Sequence, residues 1–128
     1  NAPKPMSTDP ELDRRLMQEA LRMAKLAYDN DEVPVGAVIA MDGNIVAAAM
    51  NEVVTRHDPT AHAEVLVIRK AAAMLGNERL NGATLYVTLE PCPMCAAACS
   101  LARLARVAPM IPTAAACAAP LMWPPKRI

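Results

Sequence analysis

The sequence predicts an α/β fold in which helices pack against a mixed sheet. Three observations carry that expectation. Leu12, Leu16, Ala20, Met23 and Ala27 recur at helical spacing and form one apolar stripe. Residues 35–41 and 45–50 are strand-like runs on either side of Asp42-Gly43-Asn44. Beyond them the pattern alternates again, from helix to short apolar strand to helix.

The first helix opens at Thr8-Asp9-Pro10-Glu11, which offers a capping oxygen, a proline in the first turn and a carboxylate near the positive end. Its stripe runs to about Tyr28, and Asn30-Asp31 ends it. The turn chemistry of Asp42-Gly43-Asn44 joins the next two runs as a β-hairpin. Residues 51–60 read as a loop leading into a helix from Ala61 to Leu75, with Gly76 as a left-handed terminator. Residues 83–89 form a short, largely apolar strand, as expected where both faces are covered. Pro91 then opens a helix carrying Cys92 and Cys95. After Val107, Pro109, Pro112, Pro120, Pro124 and Pro125 interrupt an Ala-rich run without strand or helix periodicity. Residues 1–107 thus read as one core and residues 108–128 as an atypical tail.

At 128 residues the chain is one domain. A 54% hydrophobic content is enough to bury a core, but with no Phe, two Tyr and one Trp its interior must be aliphatic and Met, with Ala closing helix contacts. Thirteen basic and thirteen acidic residues cancel, which removes long-range attraction to a polyanion and leaves only a local basic patch to meet nucleic acid. No apolar run approaches a bilayer span, and the start lacks the order of a secretory signal. Four Cys would fit two disulfides in a secreted domain. Two of them, however, lie in Cys-x-x-Cys with a distant His, which favours a metal site in a reducing cytoplasm. Cys99 and Cys117 read as an apolar filler and a tail residue.

His62-Ala63-Glu64 and, thirty positions on, Pro91-Cys92-Pro93-Met94-Cys95 supply the chemistry. One imidazole and two thiolates give zinc three protein ligands, leaving the open fourth position that distinguishes catalytic from structural zinc. Cys92 and Cys95 are three apart and share a helix face. His62 and Glu64 are two apart and do not, so both reach one metal only across the N-terminal end of their helix. A helix start near Ala61 puts them there.

The spacing H-x-E…P-C-x-x-C is that of the zinc nucleobase deaminases. Together with Asp31-Glu-Val-Pro-Val-Gly-Ala37, Asn51, Asp58-Pro-Thr-Ala-His-Ala-Glu64 and Leu85-Tyr-Val-Thr-Leu-Glu-Pro-Cys92, it makes residues 9–107 resemble the bacterial tRNA-specific adenosine deaminase family, within the cytidine deaminase-like superfamily. The resemblance implies a three-layer α/β fold with helices on both faces of the sheet. It implies one Zn2+ per chain held by His62, Cys92 and Cys95, and Glu64 as the catalytic proton shuttle. By the same likeness Asn51 contacts substrate, while Val35, Ala63, Glu90 and Pro91 line the base pocket. The implied reaction is hydrolysis of adenosine to inosine at the wobble position of a tRNA anticodon loop, by a cytoplasmic homodimer. His57 reads equally as an RNA contact or a solvated loop His, and Arg103 with Arg106 more readily as a solvated helix face than an RNA edge. Glu90-Pro-Cys-Pro-Met-Cys95 and Ile68-Arg-Lys-Ala71 also suit a guanine deaminase, and cytosine is a further free-base alternative. A zinc-binding fold without turnover is the third reading.

The family pattern would continue after Val107 with a strand, a Gly-Ala-x-Asp loop and terminal helices that close the substrate site. None is legible, so the last strand is expected to leave an unpaired sheet edge. Back-translated and read one base earlier, Ala108-Pro-Met-Ile-Pro-Thr-Ala-Ala-Ala-Cys117 permits Gly-Ala-Asp-Asp-Pro-x-Gly-Gly-Gly-Val, about two residues early in register. That likeness points to a reading-frame change in the gene, the alternative being a divergent or wrongly recorded tail.

Overall fold

The carboxylate of Asp9 accepts the free amides of Glu11 and Leu12 at 3.0 and 3.3 Å and so starts helix α1 (Pro10–Asp29). Pro10 sits where a missing N–H costs nothing. The computed structural model describes residues 9–110. After α1 come strands β1 (Gly36–Met41) and β2 (Asn44–Met50), a short helix α2 (Val53–Arg56), helix α3 (Ala63–Leu75), strand β3 (Thr84–Val87), helix α4 (Pro93–Leu101) and strand β4 (Arg106–Pro109). The predicted hairpin is present: Asp42 and Gly43 both take positive φ, 52° and 79°, the backbone that a two-residue type I′ turn requires.

The sheet order is β2-β1-β3-β4. β1 is antiparallel to both β2 and β3, and β4 is parallel to β3. Alternation along the strands divides the core in two. Val38, Ala40 and Tyr86 meet Leu16 and Ala20 of α1 on one face. Ala37, Ile39, Leu85 and Val87 meet Leu66, Val67 and Ala71 of α3 and Cys99 of α4 on the other. This is the expected three-layer arrangement, with the sheet buried on both sides. Among the described residues, no helix is long and apolar enough to cross a membrane.

Gly36 fixes how closely α1 lies on the sheet. A Cβ there would sit 2.0 Å from the carbonyl oxygen of Ala20 and 2.5 Å from the amide nitrogen of Ala24. No L side chain fits without displacing the helix backbone. Ala20, Ala24 and Ala27 are themselves fully buried, so the absence of Phe is matched by small residues that let backbone approach backbone.

Several expectations are corrected. Within the segment read as a loop, residues 53–56 form α2, a single turn too short to show periodicity. The two site helices begin later than expected. α3 starts at Ala63 with His62 as its N-cap, and α4 starts at Pro93 with Cys92 as its N-cap. Pro93, not Pro91, takes the first-turn position. The expectation of no strand after Val107 also fails: β4 extends into the residues assigned to the tail and pairs Thr84↔Arg106 through Val87↔Pro109. The edge of β3 is therefore covered. Four residues of which one is proline carry too little pattern to betray a strand. Residues 111–128, including Cys117, lie outside the described residues.

Arg106 and Arg103 do not form a basic pair on one helix, because α4 ends at Leu101. Arg106 instead binds Asp13 of α1 through two contacts, at 3.1 and 2.8 Å, and lies 5.9 Å from the centre of the Tyr86 ring. The Tyr86 hydroxyl donates to the same carboxylate at 2.6 Å. The hydrogen bond from Arg106 holds the Asp13 carboxyl below its usual range, and burial with the Asp13 contact pushes the Tyr86 hydroxyl up to about 12. Since Asp13 binds its proton less readily folded than unfolded, its contribution to stability is present above the unfolded pKa and is lost as pH falls through the folded one. Asp13→Asn should cost about 1–3 kcal/mol at neutral pH. Chemical denaturation from pH 7 down to pH 3 should show the two proteins converging on the acid side. A constant difference across that range would exclude the ion pair as the cause.

Candidate metal centre

β1 begins where β2 and β3 end, because it is antiparallel to both. Reciprocal bonds of 3.1 Å tie that edge: Thr88 N donates to the Gly36 carbonyl, and Gly36 N donates to Thr88 Oγ1. At the same edge Asn51 N donates to the Val35 carbonyl at 3.0 Å, and Glu52 N donates to the Ala61 carbonyl at 3.0 Å. The second bond delivers the chain into His62 and α3. The end of β3 delivers it through Glu90 and Pro91 into Cys92 and α4.

His62 and Cys92 both have extended backbone at their N-cap positions, and neither side chain caps its helix. Both side chains are thereby free to point forward from the helix ends. His62 Nδ1 lies 3.7 Å from Cys92 Sγ and 3.4 Å from Cys95 Sγ, and the donor atoms of all three residues fall within 4.8 Å of one another. Tetrahedral zinc, with bonds of about 2.0–2.1 Å to nitrogen and about 2.3 Å to sulfur, separates such atoms by roughly 3.6–3.8 Å. The donor set thus fits zinc in identity and in spacing. Cys95 belongs to the first turn of α4, so the pair of thiols straddles a helix end rather than sharing a lateral face.

Electrostatics favour the same occupant. Burial, then the nearby Glu64 carboxylate and Cys92, push the Cys95 thiol far above its usual range. A divalent cation offsets that cost by binding the thiolate directly. Glu64 follows His62 by two positions in the first turn of α3 and is only 5% exposed. Burial pushes its carboxyl up, against its own backbone N–H, the Cys95 thiol and His62, which draw it down. A carboxylate whose protonation is balanced in this way is suited to carrying a proton in both directions. Cys99, one turn beyond Cys95, is buried; desolvation and the Glu64 charge push its thiol up to about 11, consistent with the filler role.

The remaining predicted residues divide. Asn51 is buried beside Val35, while Ala63 is fully buried at the start of α3. Glu90 and Pro91 instead face a cavity of about 350 Å³ between α4 and β4, also lined by Ala96, Cys99, Ser100 and Leu104. None of the metal-donor residues lines that cavity. His57 is exposed, in left-handed conformation at the end of α2. Glu32 was not anticipated. Its carboxylate accepts the amides of Val54 and Thr55 at 3.0 and 2.6 Å, the Thr55 hydroxyl at 2.6 Å and, more distantly, Asn51 Nδ2 at 3.5 Å. Burial opposes its charge, but the bonds from Thr55, Val54 and Asn51 outweigh burial and keep it below the usual range. Glu32 lies in the Asp31–Ala37 segment that carries the family likeness, but a lone acidic residue just ahead of the first strand has no spacing rule that would assign it a role.

The profile of the cytidine and deoxycytidylate deaminase zinc-binding region matches residues 10–111. The chain belongs to this family. It is 55% identical to the tRNA-specific adenosine deaminase of Agrobacterium fabrum over 91 residues, covering 71% of this chain and 60% of that protein. A solved structure from work on A-to-I editing by tRNA:A34 deaminases at the wobble position superposes with a TM-score of 0.75 at 50% identity, over 77% of this chain and 71% of that one. Guanine deaminase from Bacillus subtilis superposes with a TM-score of 0.78 at 40% identity, over 82% and 68%. The chain spans about three fifths of the length of the curated relatives that it matches. The family's matched region binds zinc, and His62, Cys92 and Cys95 are positioned to hold it.

Metal analysis of the purified protein should find close to one zinc per chain, and Cys92→Ala should lose most of it. Full zinc retention in that variant would remove Cys92 from the ligand set.

Proposed function

We propose that the chain deaminates adenosine to inosine at the wobble position of a tRNA anticodon loop, with Glu64 as the catalytic residue that moves the protons. The observation that carries this reading is a buried carboxylate two positions from the imidazole of a three-donor zinc site. Similarity to tRNA-specific adenosine deaminases supports the choice of substrate. When bound, zinc supplies the Lewis acidity that makes water a nucleophile near neutral pH. Glu64 accepts the proton of the attacking water and delivers it to ring N1 as oxygen adds to C6. It then takes the remaining proton from the new C6 hydroxyl and passes it to the exocyclic amine, which departs as ammonia and leaves the C6 carbonyl of inosine. One water is consumed and one carboxylate serves as base and then acid. Asn51, with Val35 and Ala63, would hold the base. Glu90 and Pro91 would contribute their backbone on the other side. An anticodon base that is already unstacked enters such a pocket at modest cost.

A homodimer fits the exposed apolar residues of α4, where Leu101 is 80% exposed and Met94 37%. A reducing cytoplasm suits a thiolate zinc site. The second reading, deamination of free guanine, draws on the TM-score of 0.78 to guanine deaminase.

Glu64→Gln should keep its zinc and lose turnover by at least roughly 10²–10⁴-fold, because an amide cannot shuttle the proton. Near-native turnover in that variant would take Glu64 out of the mechanism. The substrate is decided by assaying an anticodon stem-loop, guanine and cytosine in parallel. Faster turnover of guanine than of the stem-loop would move the assignment to the free base.

We further propose that the tail departs from the family through a change of reading frame and that turnover on RNA is low as a result. Met110 N donates to the Val87 carbonyl at 2.8 Å, so the described residues end at the sheet edge that carries the site. A misplacement of about 1 Å at the reacting atoms can cost roughly a hundredfold. Replacing residues 111–128 with a family-like C-terminus should raise stem-loop turnover without changing zinc content. Equal rates would make the tail dispensable, and an intact downstream frame lacking the Gly-Ala-x-Asp segment would exclude the frame change.

A further inference from the structure

Glu32 is a carboxylate at 5% exposure, placed on the loop between α1 and β1, and it is not part of the chemistry derived above. Its two oxygens are used differently. Oε2 takes both the amide and the hydroxyl of Thr55 at 2.6 Å, which anchors the first turn of α2. Oε1 takes the Val54 amide at 3.0 Å and faces the side-chain nitrogen of Asn51 at 3.5 Å. An ionised carboxylate only accepts, so the amide oxygen of Asn51 cannot turn toward it without two acceptors facing each other. The backbone of Asn51 is fixed independently through its amide bond to the Val35 carbonyl at 3.0 Å. With the backbone held, the remaining freedom is rotation of the side-chain amide, and Glu32 removes it.

We propose that Glu32 is a positioning residue that fixes the Asn51 amide, so that Asn51 offers substrate an oxygen that accepts a hydrogen bond from an amino or hydroxyl group. This rests on the reading of Asn51 as a substrate contact. It explains why a charged side chain is buried here when a neutral helix cap would serve α2 alone. Glu32→Gln separates the two roles. A glutamine can keep its oxygen on Thr55, but its NH2 then meets both the Val54 amide, which loses its acceptor, and the Asn51 nitrogen, and the Asn51 amide reverses. The substrate would face a donor where it had met an acceptor.

The test is NMR on the ¹⁵N-labelled zinc-loaded protein, with the Asn51 NH2 pair assigned by its absence in Asn51→Ala. In the unsubstituted protein that pair should exchange slowly with water. In Glu32→Gln it should shift and lose its protection, while the Thr55 backbone amide stays protected. Stem-loop deamination should fall roughly tenfold to a hundredfold in Glu32→Gln, as expected for a hydrogen-bonding partner presented the wrong way round. The double variant with Asn51→Ala should be no slower than Asn51→Ala alone. Rapid exchange of the Asn51 pair in the unsubstituted protein, an unmoved pair in Glu32→Gln, or losses that add in the double variant would each overturn the proposal. So would Thr55 losing protection together with Asn51, since that leaves Glu32 as a helix cap only. An absence of RNA deamination alongside the predicted NMR changes would count against the substrate reading while leaving the assigned amide orientation intact.

Discussion

Two helices must begin within a few ångströms of each other, and nearly every other feature of the fold serves that requirement. His62 and Cys92 are both N-caps, so neither can present its donor atom unless its helix starts at that residue and its backbone is extended just before. The sheet provides the fixed distance between them. β1 lies between β2 and β3, and the ends of those two outer strands feed α3 and α4 from the same edge. A slip of one residue in either register would move a donor across the face and open the 4.8 Å cluster. The positive ends of two helices also converge there, opposing the burial that pushes Cys95 and Glu64 up.

The fold was legible wherever a pattern ran long enough to repeat. α1 showed its stripe over about four turns, and the hairpin was fixed by Asp42 and Gly43, whose left-handed backbone few other pairs accept. The donors were legible too, since three soft or borderline ligands at that spacing have few other uses. Short elements were missed. α2 is a single turn held from outside by Glu32, and β4 is four residues anchored through Arg106 to Asp13, 93 positions away. Neither bond leaves a trace in local sequence. The helix starts were misjudged by two residues for a related reason: His and Cys are not common capping residues, and here the cap position is occupied for metal geometry rather than for helix stability.

Buried Glu32 and half-buried Asp13 show how the fold accommodates charge. Each carboxylate is enclosed by donors: backbone amides and a hydroxyl for the first, a guanidinium and a phenol for the second. Each joins segments distant in sequence, the α1–β1 loop to α2 and α1 to β4. Among the described residues, no buried side-chain nitrogen or oxygen lacks a partner, so polar groups here act as joints between layers rather than as defects in them.

The close seating of α1 on Gly36 reverses the usual ranking of harmful substitutions. In a core built on large aromatic side chains, truncation leaves a cavity and is the costly change. Here, around Gly36, the contact between helix and sheet is made by Ala20, Ala24 and a glycine, with backbone atoms where side chains would otherwise stand. There is little to truncate, and even one added methyl group has nowhere to go. Selection on this face therefore acts against enlargement, and natural variation at Ala20, Ala24 and Gly36 should be confined by volume rather than by hydrophobicity.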